Sequence, residues 1–333
     1  MEFSDLGDRI ALWLRGERAW PGLDAAVEAG AEDNPFFTPY MQRRALEAVA
    51  EGFLRKDRLR GWLARYPEPG AAMSGGLCGV VASGNIPAVA FHDILCVRAA
   101  GWKPLVKLSS KDRFLLPVLF PDVEFCRSVK GWSVDALLTM GGDSAAEFFS
   151  TCFADVPKLV RAGRFSLAVL NGREGRDELG ALAEDMLLYY GLGCRSVTCL
   201  LVPEDYDFAA LSEALEEFAV SRLGRLAVDL HRRNRAVLTL AGEGFYDGGT
   251  IILRDLKALC GSLEKCRPYG MELNVGEVWY VRYSSQSEAD EFICRNSDRI
   301  QKIIRNFGSA QRPAADDYPD GVDTVAFLRD IKI

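Results

Sequence analysis

The residues best suited to covalent chemistry lie in one stretch, Tyr189 to Pro203, which reads YYGLGCRSVTCLLVP. A helix-patterned run ends at Gly191, the glycine-flanked Cys194 follows, and an apolar β-type run begins at Val197. A thiol on a tight turn between a helix and a strand is held by two rigid elements. Its neighbouring glycines let backbone or substrate approach closely. Such a cysteine can act as a nucleophile if it is accessible and its pKa is depressed. The alternative is a small buried cysteine of the core.

Three further places could serve a reaction at that thiol. Ser83-Gly84-Asn85-Ile86-Pro87 follows an apolar run, and the Asn85 amide could donate to an oxyanion. Asn85 could equally cap a helix running through Pro87. Lys107, ending LVK before Ser109 and Ser110, could hold a ribose or phosphate as a point charge, or snorkel at the surface. Met140-Gly141-Gly142-Asp143-Ser144 is a glycine turn before a helix, whose backbone N–H groups could receive a pyrophosphate. Of the two histidines, His92 lies in a helix pattern and reads as structural. His231 sits in the basic run HRRNR, which reads as a solvated face or a seat for phosphate groups.

The elements that must position these residues follow from pattern. Residues 1–70 read as helices, with Thr38-Pro39 as cap and first helical residue before Met41, Ala45, Val49 and Phe53. YPEPGAAMSGG (66–76) reads as a linker. Short unalternating apolar runs at 77–82, 104–108, 136–140 and 166–170 suit strands buried on both faces of a parallel sheet. A helix over Pro87–Ala100 lies between the first two. Leu179, Leu182, Ala183, Met186, Leu187 and Tyr190 form one helical face that delivers Cys194. Further strands are expected at 236–240, 250–253 and 278–283, and a helix capped at Ser287 with Asp290 extends through Ile304. The fold class is therefore α/β. Ligands of such sheets bind where strands end at their carboxyl side.

Length and composition set outer bounds. The 333 residues suffice for roughly two domains, and 49% apolar with 26% charged residues is the balance of a folded protein. We divide the chain into 1–170 (helices and a nucleotide-binding domain), 171–305 (a catalytic domain) and 306–333 (a tail returning to the first domain). A net charge of −7 argues against nucleic acid as a partner. Nine cysteines without a CxxC pair read as reduced thiols of a cytoplasmic protein. Two histidines with no paired spacing give no metal site. The acidic start MEFSDLGDRI is not a signal peptide, and no apolar run reaches the ~20 residues of a membrane span.

The order of Asn loop, lysine strand, glycine turn and Gly-Cys run resembles the aldehyde dehydrogenase superfamily. SGNIP is similar to its PWNFP-type loop, LVKLSS to its K-P-S strand end, MGG to its T-G-S turn, and GLGCRSVTCLLV to its G-Q-x-C run. One branch fits more of the chain: NPFFTP, GNIPAVAFHDILCV, KLSSKD, YYGLGCRSV, VPEDYDF and DGVDT resemble the fatty-acyl-CoA reductases of the bacterial bioluminescence type. The resemblance implies a Rossmann-type cofactor domain plus a second α/β catalytic domain. It also implies Cys194 as nucleophile, Asn85 at the oxyanion, and Lys107, Ser109, Gly141 and Gly142 at the nucleotide.

What the resemblance implies for function is NADPH-dependent reduction of an acyl-CoA, or another acyl thioester, to the fatty aldehyde through a Cys194-bound acyl group. An acyl-CoA or acyl-protein thioester, an acyl-transferring partner protein and a homo-oligomer belong to the same expectation. Two departures stand out. Ala168 occupies the place of the superfamily's general-base glutamate, and Gly142 replaces its serine. A thioester handed to a thiol or to hydride needs no base to activate water. The alternatives are an acyl-phosphate or short-chain CoA-acylating aldehyde dehydrogenase, and a non-catalytic acyl- or nucleotide-binding subunit.

Overall fold

The computed structural model describes residues 3–66, 75–161, 163–262, 265 and 273–332. Most of the expected linker, residues 67–74, and Cys266 lie outside the described residues. The chain forms two compact units, residues 1–162 with 312–333, and residues 163–311.

The first unit opens with α1 (Phe3–Leu14), α2 (Pro21–Asp33) and α3 (Pro39–Ala48), then a π-helical turn at Val49–Phe53 and α4 (Lys56–Leu63). The Thr38 hydroxyl accepts the Met41 N–H at 3.2 Å, so the Thr-Pro start of α3 is a true cap. Next come β1 (Leu77–Val81), α5 (Phe91–Ala99), β2 (Lys103–Lys107), α6 (Leu115–Leu119), β3 (Glu124–Cys126), β4 (Ala136–Met140), α7 (Asp143–Cys152) and β5 (Lys158–Arg161). The strands form a sheet of order β3-β2-β1-β4-β5, parallel at every pairing. Val80, Val106, Ala136, Leu137 and Leu138 are fully buried, which explains the unbroken apolar runs. The helix expected from Pro87 begins only at Phe91, because Ala88 has a positive φ of 54°.

The second unit contains β6 (Phe165–Val169), α8 (Arg176–Leu187), β7 (Val197–Pro203), α9 (Ala209–Arg222), α10 (Arg225–Ala241), β8 (Tyr246–Asp247), β9 (Ile252–Asp255), α11 (Leu256–Cys260), β10 (Glu277–Tyr283), α12 (Gln286–Arg295) and β11 (Ile300–Ile304). Its sheet has the order β11-β6-β7-β10-β9-β8, parallel except for β8 against β9. The run 166–170, grouped with the first layer by pattern, is thus a strand of this second sheet.

Two expectations fail here for physical reasons. Residues 236–240 are helical, within α10. Its inward face is Ala227, His231, Asn234 and Leu238, and Val237 and Leu240 point to solvent. The helix expected to reach Ile304 ends at Arg295, and Ile300–Ile304 pairs with β6. Its cap is Ser285, two residues before the expected one, and Ser285 Oγ accepts the Glu288 N–H at 3.3 Å.

The closing segment belongs to the first unit and ends in α13 (Thr324–Asp330), which packs on α5. Arg161 at the end of β5 ties it down. Its guanidinium pairs with buried Asp93 at 2.6 Å and donates to Thr324 Oγ1 at 2.8 Å. Trp62 Nε1 adds a bond to the Tyr318 hydroxyl at 2.7 Å.

Candidate functional site

In the first unit, register aligns the carboxyl ends of three strands. Val81 ends β1 opposite Lys107 of β2 and beside Thr139 of β4. The chain proceeds from β1 to β2 and β3 on one side, then crosses to β4 on the other. The gap between β1 and β4 is therefore a topological switch point, where open parallel sheets bind ligands. The Asn85 loop leaves β1, the Lys107–Ser109 segment leaves β2, and Gly141-Gly142 leaves β4. Five of the six expected site residues thus share one sheet end.

Each has its own surroundings. Asn85 is exposed and is not a helix cap: the residue before α5 is Ala90, whose side chain makes no cap bond. Lys107 is half-buried, and its carbonyl accepts the Ala82 N–H at 3.0 Å. Gly142 precedes α7, and a Cβ there would meet nothing within 4 Å, whereas one on Gly141 would lie 2.9 Å from Ala145 Cβ. The open space before the α7 N-terminus suits a phosphate group.

The Asn85 loop carries an unusual backbone. Ala88 is non-glycine yet left-handed, a conformation costing about 1–2 kcal/mol. Its N–H donates to Asp112 Oδ2 at 2.8 Å. A hydrogen bond contributes about 1 kcal/mol with a neutral acceptor and about 1.5–3 kcal/mol with a charged one, enough to offset much of that strain. Asp112 is buried, and burial pushes its carboxyl up to about 7. Sequence reasoning passed over Asp112. Its only signal was an acid in the polar SSKD run just past a buried strand.

Cys194 belongs to the second unit. Helix α8 ends at Leu187, short of the expected Gly191, and Tyr189, Tyr190 and Gly191 follow with φ of 58°, 54° and 73°. Gly191 takes this conformation freely, but the two tyrosines are strained. Both rings are buried, and the Tyr190 hydroxyl donates to the Leu223 carbonyl at 3.0 Å. A tight turn then joins the Ser196 N–H to the Gly193 carbonyl at 2.9 Å. Ser166 Oγ donates to the Cys194 carbonyl at 2.8 Å, and Gln311 Nε2 donates to Ser196 Oγ at 2.9 Å.

The cysteines separate by setting. Cys78, Cys96 and Cys199 are fully buried, and burial pushes the first two thiols upward. Cys194 is exposed, as are Cys152 and Cys294, but those two lie in regular helix. A cavity of about 90 Å³ is walled in part by Tyr190, Gly191 and Leu192, just before Cys194. Ala168 is fully buried in β6, between Leu200 and Ile304.

The histidines are tied into structure. His92 Nε2 bonds the Ala315 carbonyl at 2.8 Å, and His231 Nε2 bonds Asp247 at 2.6 Å. Among the described residues, no group of three or more His, Cys, Asp or Glu could hold a metal ion, and no helix is long and apolar enough to cross a membrane.

No family model matches the sequence, and no curated protein matches it. Solved structures do. An aldehyde dehydrogenase from Pseudomonas syringae, with NAD+ and octanal, superposes with a TM-score of 0.58 at 11% identity, over 91% of this chain and 72% of its own. The indole-3-acetaldehyde dehydrogenase of P. syringae, with NAD+, gives 0.60 at 11% identity, over 93% and 72%. A propionaldehyde dehydrogenase from a Clostridium phytofermentans fucose-utilisation microcompartment gives 0.54 at 9% identity, over 92% and 84%. All three were crystallised with a cysteine changed to alanine. The chain has the aldehyde dehydrogenase fold, with its Rossmann-type and second α/β domains.

These neighbours correct the narrower expectation. They are aldehyde dehydrogenases, and the two P. syringae enzymes hold NAD+. Neither NADPH as cofactor nor reduction of an acyl-CoA to the fatty aldehyde is retained, and the fold gives no support to the bioluminescence-type branch. Lys107 and Ser109 were expected at the ribose and Gly141 and Gly142 at the pyrophosphate; a lysine and a serine can meet either a ribose hydroxyl or a 2′-phosphate, so residue type could not have told NAD from NADPH.

Proposed function

We propose that this protein is an NAD-dependent, CoA-acylating aldehyde dehydrogenase acting on short-chain aldehydes. The observation that carries the reading is the buried methyl group of Ala168, where the resemblance puts the superfamily's general-base glutamate. With no carboxylate at that place to activate water, a thioester on Cys194 passes to a thiol, which needs no such base. A short chain is proposed from the Clostridium phytofermentans neighbour, a propionaldehyde dehydrogenase.

Cys194 is assigned as the nucleophile because it is exposed on a fixed, strained turn. Its thiolate attacks the aldehyde carbon, forming a C–S bond, and the Asn85 amide donates to the oxygen that gains charge. Lys107 and Ser109 are assigned to the nucleotide ribose, and Gly141 and Gly142 to its pyrophosphate before α7. NAD, the nucleotide of the P. syringae neighbours, supplies the hydride acceptor when bound. The thioester left on Cys194 is taken by the CoA thiol, which frees the enzyme thiol. A cytoplasmic setting is proposed, in keeping with nine cysteines and no CxxC pair in the sequence.

Incubation with propionaldehyde and NAD+, without CoA, followed by mass spectrometry of the Cys194 peptide, tests the assignment. A propionyl adduct on Cys194 that CoA discharges as propionyl-CoA is expected. An unmodified Cys194, or an adduct only on another cysteine, contradicts it.

A further inference from the structure

One close approach and one hydrogen bond grip the Asn85 loop from the segment after β2. At one end, Gly84 lies so close to that segment that a Cβ would sit 2.3 Å from Ser109 Oγ and 2.7 Å from Lys111 Cβ. At the other, the Ala88 N–H donates to Asp112 at 2.8 Å. Asn85 lies between the two grips. The gripping segment is itself braced, since Ser109 Oγ accepts the Lys111 N–H at 3.2 Å and Asn34 Nδ2 donates to the Lys111 carbonyl at 3.1 Å.

We propose that Asp112 is a positioning residue: its carboxyl oxygen holds Ala88 left-handed and thereby fixes where the loop presents the Asn85 amide. This rests on the reading of Asn85 as oxyanion donor. Asp112 is 5% exposed and therefore does not touch substrate itself. Its burial next to Lys111 and Arg113 would be avoidable if the carboxylate had only to keep the chain soluble. Instead it is spent on one backbone N–H that an alanine in an ordinary conformation would not present. Without that acceptor Ala88 relaxes toward negative φ, and the three residues between it and Gly84 swing with it.

Two variants and two measurements test this. Asp112→Ala removes the acceptor, and Asp112→Asn keeps one. Misplacing a catalytic group by about 1 Å can cost ~100-fold, so Asp112→Ala is expected to lower kcat by ~30-fold or more, with KM for aldehyde within about threefold. Asp112→Asn should restore kcat to within about fivefold of the parent. Hydrogen exchange over residues 84–90 should rise in Asp112→Ala and stay near the parent's in Asp112→Asn. Should Asp112→Ala fail to fold, the same comparison is made with Asp112→Leu, which removes the acceptor while filling the buried volume. Parental exchange across 84–90 without the acceptor overturns the proposal, as does a kcat loss no smaller in the asparagine variant. If the parent protein oxidises no aldehyde, the role of Asn85 fails, while the exchange result still decides whether Asp112 fixes the loop.

Discussion

The loop before α5 and the turn before β7 both carry left-handed residues that are not glycine: Ala88 in the first, Tyr189 and Tyr190 in the second. In the loop, the strained N–H is satisfied by a single buried acid from another segment, Asp112. In the turn, neutral groups share the task. The Tyr190 hydroxyl holds Leu223, Ser166 holds the Cys194 carbonyl, and Gln311 holds Ser196. One arm is thus fixed through a titratable group and the other through several bonds of about 1 kcal/mol each. The difference teaches that the Cys194 turn should tolerate loss of any one anchor, whereas the Asn85 loop should not.

The widest contrast to test is between the two side chains proposed to act on the aldehyde. Cys194→Ala should lower aldehyde oxidation by ~10³-fold or more without changing thermal stability, since the side chain is exposed. Asn85→Ala should lower kcat by ~10²–10³-fold, the range seen on losing one oxyanion donor. Steady-state kinetics beside a melting curve measures both. Tyr190→Phe, which removes one neutral anchor, should cost only about 1 kcal/mol in denaturant unfolding and leave kcat within about fivefold. If Tyr190→Phe were as damaging as Asp112→Ala, the distinction between the two arms would fail.

The smallest effect is in pH. The folded Asp112 carboxyl sits at about 7, above its ordinary 3.8. Its contribution to stability is therefore full below about 3.8 and is lost as pH rises through about 7. Relative to Asp112→Asn, the parent should lose stability between about pH 4 and 7 and level off above that. Burial pushes the Tyr190 hydroxyl up to about 12, so the Tyr190→Phe difference should stay flat over the same range. Unfolding titrations at several pH values would show a sloping difference for the acid and a level one for the phenol.

Much of the frame was legible in the sequence because burial on both faces leaves a plain mark. Val80, Val106 and Leu138 sit in runs that could only be interior strands. The reading failed where apolar residues face water, as Val237 and Leu240 do on α10, and where a short strand follows a helix directly, as Ile300–Ile304 follows α12. Asn85, Lys107 and Gly141 were visible because each follows a recognisable strand. Asp112 was not, since its significance lies in the φ of Ala88, which tertiary packing sets. Cofactor and direction were misread because a cysteine with an amide donor serves oxidation and reduction alike.

The central claim is that the thioester on Cys194 goes to a thiol and not to water, because Ala168 is no base. NADH formation from propionaldehyde and NAD+, followed with and without CoA and with the products identified, tests it most directly. Sustained NADH formation only with CoA, propionyl-CoA as product, and a halt near one turnover without it are expected. Steady NADH formation without CoA, yielding propionate, would contradict the account.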